Sequence, residues 1–228
     1  MTHAKFGKFT IAALVAASAL VLGMAASGKA ATVPTPTLGS HTVPGAGPRT
    51  VVLAGGCFWG MQIVFEHVHG VVKVTAGYAG GALKSPSYEM VSTGTTGYAE
   101  SVKIVYDPAR VSFGTLLKVY FSVAQNPTEL NFQGPDYGTQ YRSEIYFTTP
   151  AQGRIARAYI GQLTTAKSFA KPIVTKVAPF TTFYPAEAYH QDFALHHPNY
   201  PYIVINDLPK VANLREDFPH LYVPYKGS

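Results

Sequence analysis

The apolar run 50-TVVLA-54 passes through two glycines, Gly55 and Gly56, straight into residues with helical spacing. Met61, Val64, Phe65 and Val68 stand at i, i+3, i+4 and i+7, the apolar stripe of one amphipathic helix. The β-branched run before them reads as a buried strand. So short a turn admits few architectures, because the helix must fold back at once onto the sheet that holds its own strand. The residue at the turn is Cys57, the only cysteine in the chain.

The rest of the chain continues the alternation. Val71 to Tyr78 reads as a second strand closed by 77-GYAGG-81, and Glu100 to Tyr106 as a third, halted by 107-DP-108. Ser112 is placed to cap a helix carrying Phe113, Leu116, Leu117 and Tyr120 on one side. Strand-like Ser143 to Thr148, a helix from Ala151 to Phe169 and a strand around Ile173 to Val177 follow. Residues 179–206, crowded with Pro, Tyr and His, read as ordered loop. Strand–helix–strand–strand–helix–strand is the order of an α/β (α+β) sheet with its helices on one face.

The first 49 residues have a different character. Lys5 and Lys8 precede the apolar run 10-TIAALVAASALVLGMAA-26 and small residues suited to cleavage after Ser27 or Ala30. Residues 1–30 therefore read as an export signal or an uncleaved anchor. Residues 31–49, rich in Pro, Gly and Thr, read as a tether, and residues 50–228 as one folded domain. The expected location is outside the cytoplasm, periplasmic or secreted, or membrane-tethered if the signal stays. Loss of Lys5, Lys8 and Lys29 with the signal lowers the formal charge from +6 to +3. With no Lys/Arg run, nucleic acid is not an expected partner.

An unpaired cysteine in an exported chain is either a buried, inert residue or a working nucleophile. The seat of Cys57 favours the second. Behind two glycines and at the opening of a helix, unpaired N–H groups and the helix dipole favour a thiolate. Phe58 and Trp59 beside it are either core residues of the first turn or an apolar wall suited to thioether and methyl groups. Glu100 shares strand parity with Val102, Ile104 and Tyr106. If it is buried with them, its pKa rises and it can hold a proton near neutrality, as a general acid must; if the strand end frays, it is merely solvated. Tyr88, Asp136 and Tyr141 lie in polar segments near glycines.

Other chemistries lack their residues. No second cysteine makes a Cys-x-x-Cys pair, 77-GYAGG-81 lacks the spacing of a nucleotide loop, and His190, His196 and His197 do not form H-E-x-x-H. His190 is available as the base of a cysteine hydrolase, but no papain-type signature surrounds Cys57.

Six stretches in order, 55-GGCFWG-60, 76-AGYAGG-81, 88-YEMVSTGTTGYAE-100, 103-KIVYDP-108, 136-DYGTQYRS-143 and 183-FYPAEAYHQD-192, together resemble the A-type peptide methionine sulfoxide reductases. The later 214-LREDFPHLY-222 is also similar. The resemblance implies a ferredoxin-like two-layer sandwich with additional loops and a C-terminal extension. It implies reduction of the S epimer of methionine sulfoxide, free or in oxidised proteins, as protein repair. Cys57 matches the nucleophile and Glu100 the acid. Tyr88 and Tyr141 match hydroxyls that hold the sulfoxide oxygen, and Phe58 and Trp59 the cradle of the S-methyl group. Asp136 matches a supporting carboxylate and Tyr189 a tyrosine near the pocket. No flavin, nicotinamide or metal is implied, and the chain is expected to act as a monomer.

One departure stands out. Many members of that family carry further cysteines near the C-terminus, whereas 209-PKVANLREDFPHLYVPYKGS-228 has none. The sulfenic acid formed on Cys57 would then need an external thiol: thioredoxin, a thioredoxin-like protein or glutathione. A single-cysteine peroxidase and a non-catalytic sulfoxide-binding module are the competing readings.

Overall fold

The computed structural model describes residues 33–224 of the chain, so the segment read as an export signal, 1–30, lies outside the described residues. In chain order the elements are β1 (Arg49–Ala54), α1 (Phe58–Glu66), β2 (Val71–Ala79), α2 (Tyr88–Ser92), β3 (Ala99–Tyr106) and α3 (Phe113–Val119). They continue with β4 (Phe132–Gln133), β5 (Asp136–Tyr137), β6 (Glu144–Phe147), α4 (Pro150–Thr165), β7 (Lys176–Pro179), β8 (Phe183–Pro185), α5 (Phe193–His196) and α6 (Leu208–Asp217).

Six strands form one sheet in the order β7-β6-β1-β3-β2-β8. The inner four, β6-β1-β3-β2, are mutually antiparallel, which is the ferredoxin-like order. β7 joins in parallel beside β6, and β8 runs antiparallel beside the end of β2. Strand parity decides the layers. Val51, Leu53, Ile104, Val102, Tyr78 and Ile145 face the helices and are buried against Met61, Phe65, Leu116 and Tyr159. Each such side chain withdrawn from water contributes about 1.5–3 kcal/mol. The opposite parity, Val52, Ala54, Ala79, Ala99 and Tyr146, makes a smaller layer partly covered by Phe180 and Phe183.

Helix starts follow the capping residues. The Ser112 hydroxyl accepts the Thr115 amide at 3.0 Å, and Thr149 accepts the Gln152 amide with Pro150 in the first turn. The ends differ more from the sequence reading. α4 stops at Thr165, short of Phe169, because Lys167 adopts a left-handed φ of 50° and the Ser168 amide closes on the Leu163 carbonyl at 3.0 Å. This Schellman closure is ordinarily marked by glycine, and lysine conceals it. The last expected strand lies at Lys176–Pro179 rather than Ile173–Val177, since the Val174 amide is engaged by the Pro127 carbonyl at 2.8 Å. Residues 179–206, read as loop, contain β8 and α5.

From Val33 to Val43 the segment read as a tether lies on the domain. Val33 is buried, Pro34 accepts the Tyr159 hydroxyl at 2.8 Å, and Gly39 accepts the Gly114 amide at 2.8 Å.

At the C-terminal end of β1 the buried Tyr120 hydroxyl donates to the Ala54 carbonyl at 2.7 Å and meets Ser143 Oγ at 2.8 Å. Tyr120→Phe leaves that carbonyl without its donor, and should lower unfolding free energy in urea by about 1–3 kcal/mol. An unchanged urea midpoint would show that this bond does not secure the strand end.

Candidate active site

The junction read from the sequence is built by crowding. A Cβ on Gly55 would stand 2.8 Å from Gln125 Cγ, and one on Gly56 2.8 Å from Gln133 Cβ. Gly56 also has φ 91°, which side chains rarely adopt. Cys57 follows as the N-cap residue of α1, 9 % exposed. Gly60, one turn on, is packed by the C-terminal extension: a Cβ there would stand 2.0 Å from Asp207 Oδ1.

Glu100 enters from β3, on the helix-facing side, and is only 2 % exposed. Its Oε2 accepts the Phe58 amide at 3.0 Å, fixing the carboxyl at the first helical residue after Cys57. Burial raises its pKa to about 8; the Phe58 N–H opposes this, while Asp136 and Asp207 add to it. At neutral pH Glu100 therefore carries a proton, as its strand parity led one to expect. With Oε2 committed to the amide, Oε1 is the oxygen left to carry that proton.

The thiol departs from its expected state. Burial pushes the Cys57 pKa well above that of a free thiol, and Glu100, Asp207 and Asp136 push it further, against a single lowering contribution from the Trp59 amide. The helix opening alone suggested a thiolate. Enclosure and three carboxyl groups from distant parts of the chain outweigh it, so Cys57 rests as a thiol.

A pocket of about 200 Å³ opens on the sulfur. It brings together Cys57, Phe58, Trp59, Tyr88, Glu100, Asp136 and Tyr141. Tyr189 does not line it: its ring packs on His190 at 4.2 Å and 58 % of its surface is exposed. Two further walls, Tyr200 and Tyr202, were not singled out from the sequence. Their only sequence signal is the uncharged aromatic stretch 198-PNYPY-202.

Trp59 is held on several sides. It stacks on Phe193 at 3.9 Å and 11°, takes the edge of Tyr202 at 6.0 Å, and donates from Nε1 to His190 Nδ1 at 3.2 Å. Burial lowers the His190 pKa, so the imidazole is neutral at pH 7. The Tyr202 hydroxyl donates to Asp136 Oδ2. Burial raises the pKa of both Tyr88 and Tyr141, which keeps them neutral donors.

Among the described residues, no three His, Cys, Asp or Glu side chains converge on a possible metal position. A larger cavity of about 540 Å³ lies at the other end of α1, beside Glu66 and Asp192, and does not reach Cys57.

The fold and the site define a single-thiol protein on a ferredoxin-like α+β sandwich, with a thiol, a protonated carboxylic acid and several phenols in one small aromatic pocket. A family profile described as peptide methionine sulfoxide reductase matches residues 49–221. Peptide methionine sulfoxide reductase MsrA 2 of Mesorhizobium japonicum is 61% identical over 176 residues, which cover 77% of this chain and 90% of that one. The protein of that name from a Synechocystis species is 51% identical over 172 residues, 75% of this chain and 80% of its own. Methionine sulfoxide reductase A of Corynebacterium diphtheriae superposes with a TM-score of 0.59 at 33% identity, over 76% of this chain and 90% of that one. Reduced Mxr1 of Saccharomyces cerevisiae does so at 0.60 and 30%, over 71% and 91%. The chain belongs to the peptide methionine sulfoxide reductase family.

Glu100 binds its proton more tightly folded, at about 8, than unfolded, in the ordinary carboxylate range. Its contribution to stability is thus full below the unfolded pKa, declines as pH rises toward 8, and is constant above. Glu100→Gln removes that slope. Urea unfolding from pH 4 to 9 should show the variant gaining on the wild type up to about pH 8 and then running parallel. A constant gap across the range would mean Glu100 is ionised in the folded protein.

Proposed function

We propose that the protein reduces the S epimer of methionine sulfoxide, free or in oxidised proteins, to methionine, with Cys57 as nucleophile and Glu100 as acid. The observation that carries this reading is the buried, protonated Glu100 held at the Phe58 amide, beside the only sulfur of its kind in the chain. Family membership sets the substrate class. Phe58 and Trp59 offer an apolar wall for the S-methyl group, and Tyr88 and Tyr141 offer hydroxyls to the oxygen. Asp136 and Tyr202 brace that wall through their mutual hydrogen bond.

The chemistry closes without an added proton. Glu100 protonates the sulfoxide oxygen as Cys57 sulfur attacks the sulfoxide sulfur, and the thiol proton replaces the one Glu100 has given. The phenols stabilise charge developing on oxygen as the S–O bond weakens. The hydroxyl leaves the methionine sulfur as water with a second proton from Glu100. Water then attacks the Cys57 sulfur, breaking the transient S–S bond, releasing methionine and returning that proton to Glu100. Cys57 is left as a sulfenic acid, its sulfur having lost the two electrons that the methionine sulfur gains. An external thiol then forms a mixed disulfide with Cys57 and releases water. A second thiol of the same donor, or a second donor molecule, restores Cys57 and leaves as a disulfide. A thioredoxin-like protein or glutathione supplies these equivalents.

We further place the mature protein outside the cytoplasm, in the periplasm or beyond. Support comes from the charged start, apolar run and small residues of 1–30. Among the described residues no helix is long and apolar enough to cross a membrane.

Cys57→Ser should abolish methionine release, since a hydroxyl replaces the attacking sulfur. Glu100→Gln should slow release by ~10²–10⁴ in single-turnover quench experiments, the usual worth of a positioned acid. The wild-type rate should also fall as pH rises through about 8, and the variant should lack that fall. A Glu100→Gln variant with the wild-type alkaline limb would place the proton donor elsewhere.

A further inference from the structure

Cys57 must exchange disulfides with another molecule, yet it is 9 % exposed, in the lining of a pocket of about 200 Å³. A disulfide needs the two sulfurs about 2 Å apart. Any protein donor must therefore press its surface against the rim of that pocket while its thiol enters. The rim on one side is the segment 198-PNYPYIVIN-206, which holds no charged residue.

That segment has two faces. Inward, Tyr202 bonds Asp136 and sets its edge on Trp59. Ile203 is fully buried beside Ile63 and Ala194, and Asp207, also buried, lies against Gly60. These contacts pin a π-helical turn, Ile203–Asp207, to the start of α1. Outward, Val204 is 46 % exposed and Ile205 67 %, and Tyr200, 48 % exposed, joins them at the rim, with its ring edge-on to Trp59 and one side lining the pocket. Exposed apolar residues scattered singly are ordinary. Three within six positions, beside the pocket that Tyr200 and Tyr202 wall, are a patch.

We propose that Tyr200, Val204 and Ile205 form the docking surface for a thioredoxin-like reductant of oxidised Cys57. This rests on the reductase reading above and adds where the partner binds. The patch is uncharged and its backbone is held from within, so a partner with an apolar rim around its active cysteine can cover it with little reordering. Small thiols pass Tyr200 but need no contact with Val204 or Ile205. They enter the pocket alone.

The test uses the full chain with free methionine sulfoxide, driven either by a bacterial thioredoxin recycled by thioredoxin reductase and NADPH, or by dithiothreitol. Ile205→Glu and Val204→Glu should each raise the KM for thioredoxin by about tenfold or more, as charge placed in an apolar contact does. The dithiothreitol-driven rate should stay within about twofold, because neither residue lines the pocket. Ile205→Thr, which keeps the β-branched shape, serves if the glutamate variants lose both activities, and should shift the thioredoxin KM alone in the same direction. An unchanged thioredoxin KM in all three variants would overturn the docking surface. So would a KM shift for an oxidised protein substrate in place of thioredoxin, or a patch-dependent dimer in sedimentation. Absence of any dithiothreitol-driven turnover in the wild type would instead strike at the reductase reading itself.

Discussion

The hydrogen bond from the Phe58 amide to Glu100 joins the two halves of the site. It ties the start of β3 to the first turn of α1, and so puts a carboxylic acid beside the sulfur that opens the helix. The bond alone would favour an ionised carboxylate. Burial of Glu100 on the helix-facing side of the sheet overrides it and leaves the acid protonated at neutral pH. The same enclosure keeps Cys57 as a thiol. The two groups enter the reaction each carrying a proton, which suits a step that moves an oxygen atom and leaves the proton count unchanged.

The sandwich itself provides the thiol, the acid and the Phe58 and Trp59 rings of α1. Tyr88 comes from α2, Asp136 from the β4–β5 hairpin and Tyr141 from the turn after it. The extension beyond β8 completes the aromatic wall, since Phe193, His190 and Tyr202 together fix the orientation of Trp59. Gly60 is what lets that extension come close, because any side chain there would collide with Asp207. The Cys-free C-terminal part of the chain is thus a packed wall of the site.

Much of this was legible in the residues because short-range rules dominate at the places that matter. Period-two burial put Glu100 on the core face, and the glycine pair before Cys57 marked the turn. Ser112 marked a helix start by its cap. Motif resemblance gathered Tyr88, Asp136 and Tyr141, which no periodicity could have joined. The misses have long-range or unusual causes. The elevated thiol pKa comes first from burial and then from Glu100, Asp207 and Asp136, all far from Cys57 in the chain, while the helix N-terminus is a local cue that pointed the other way. The end of α4 was hidden by a left-handed lysine. Tyr200 and Tyr202 lie in a stretch without regular patterning, so only the folded chain shows that one of them reaches Asp136.

The central claim is that one sulfur performs the whole oxidation step and relies on another molecule for its return. It is tested most directly by counting methionine released per chain when excess sulfoxide meets the reduced protein without any added thiol. At most one methionine per chain is expected, with loss of one free thiol and a dimedone-reactive sulfenic acid at Cys57. Two methionines per chain under those conditions would contradict the account, because a single thiol going to sulfenic acid supplies two electrons and not four.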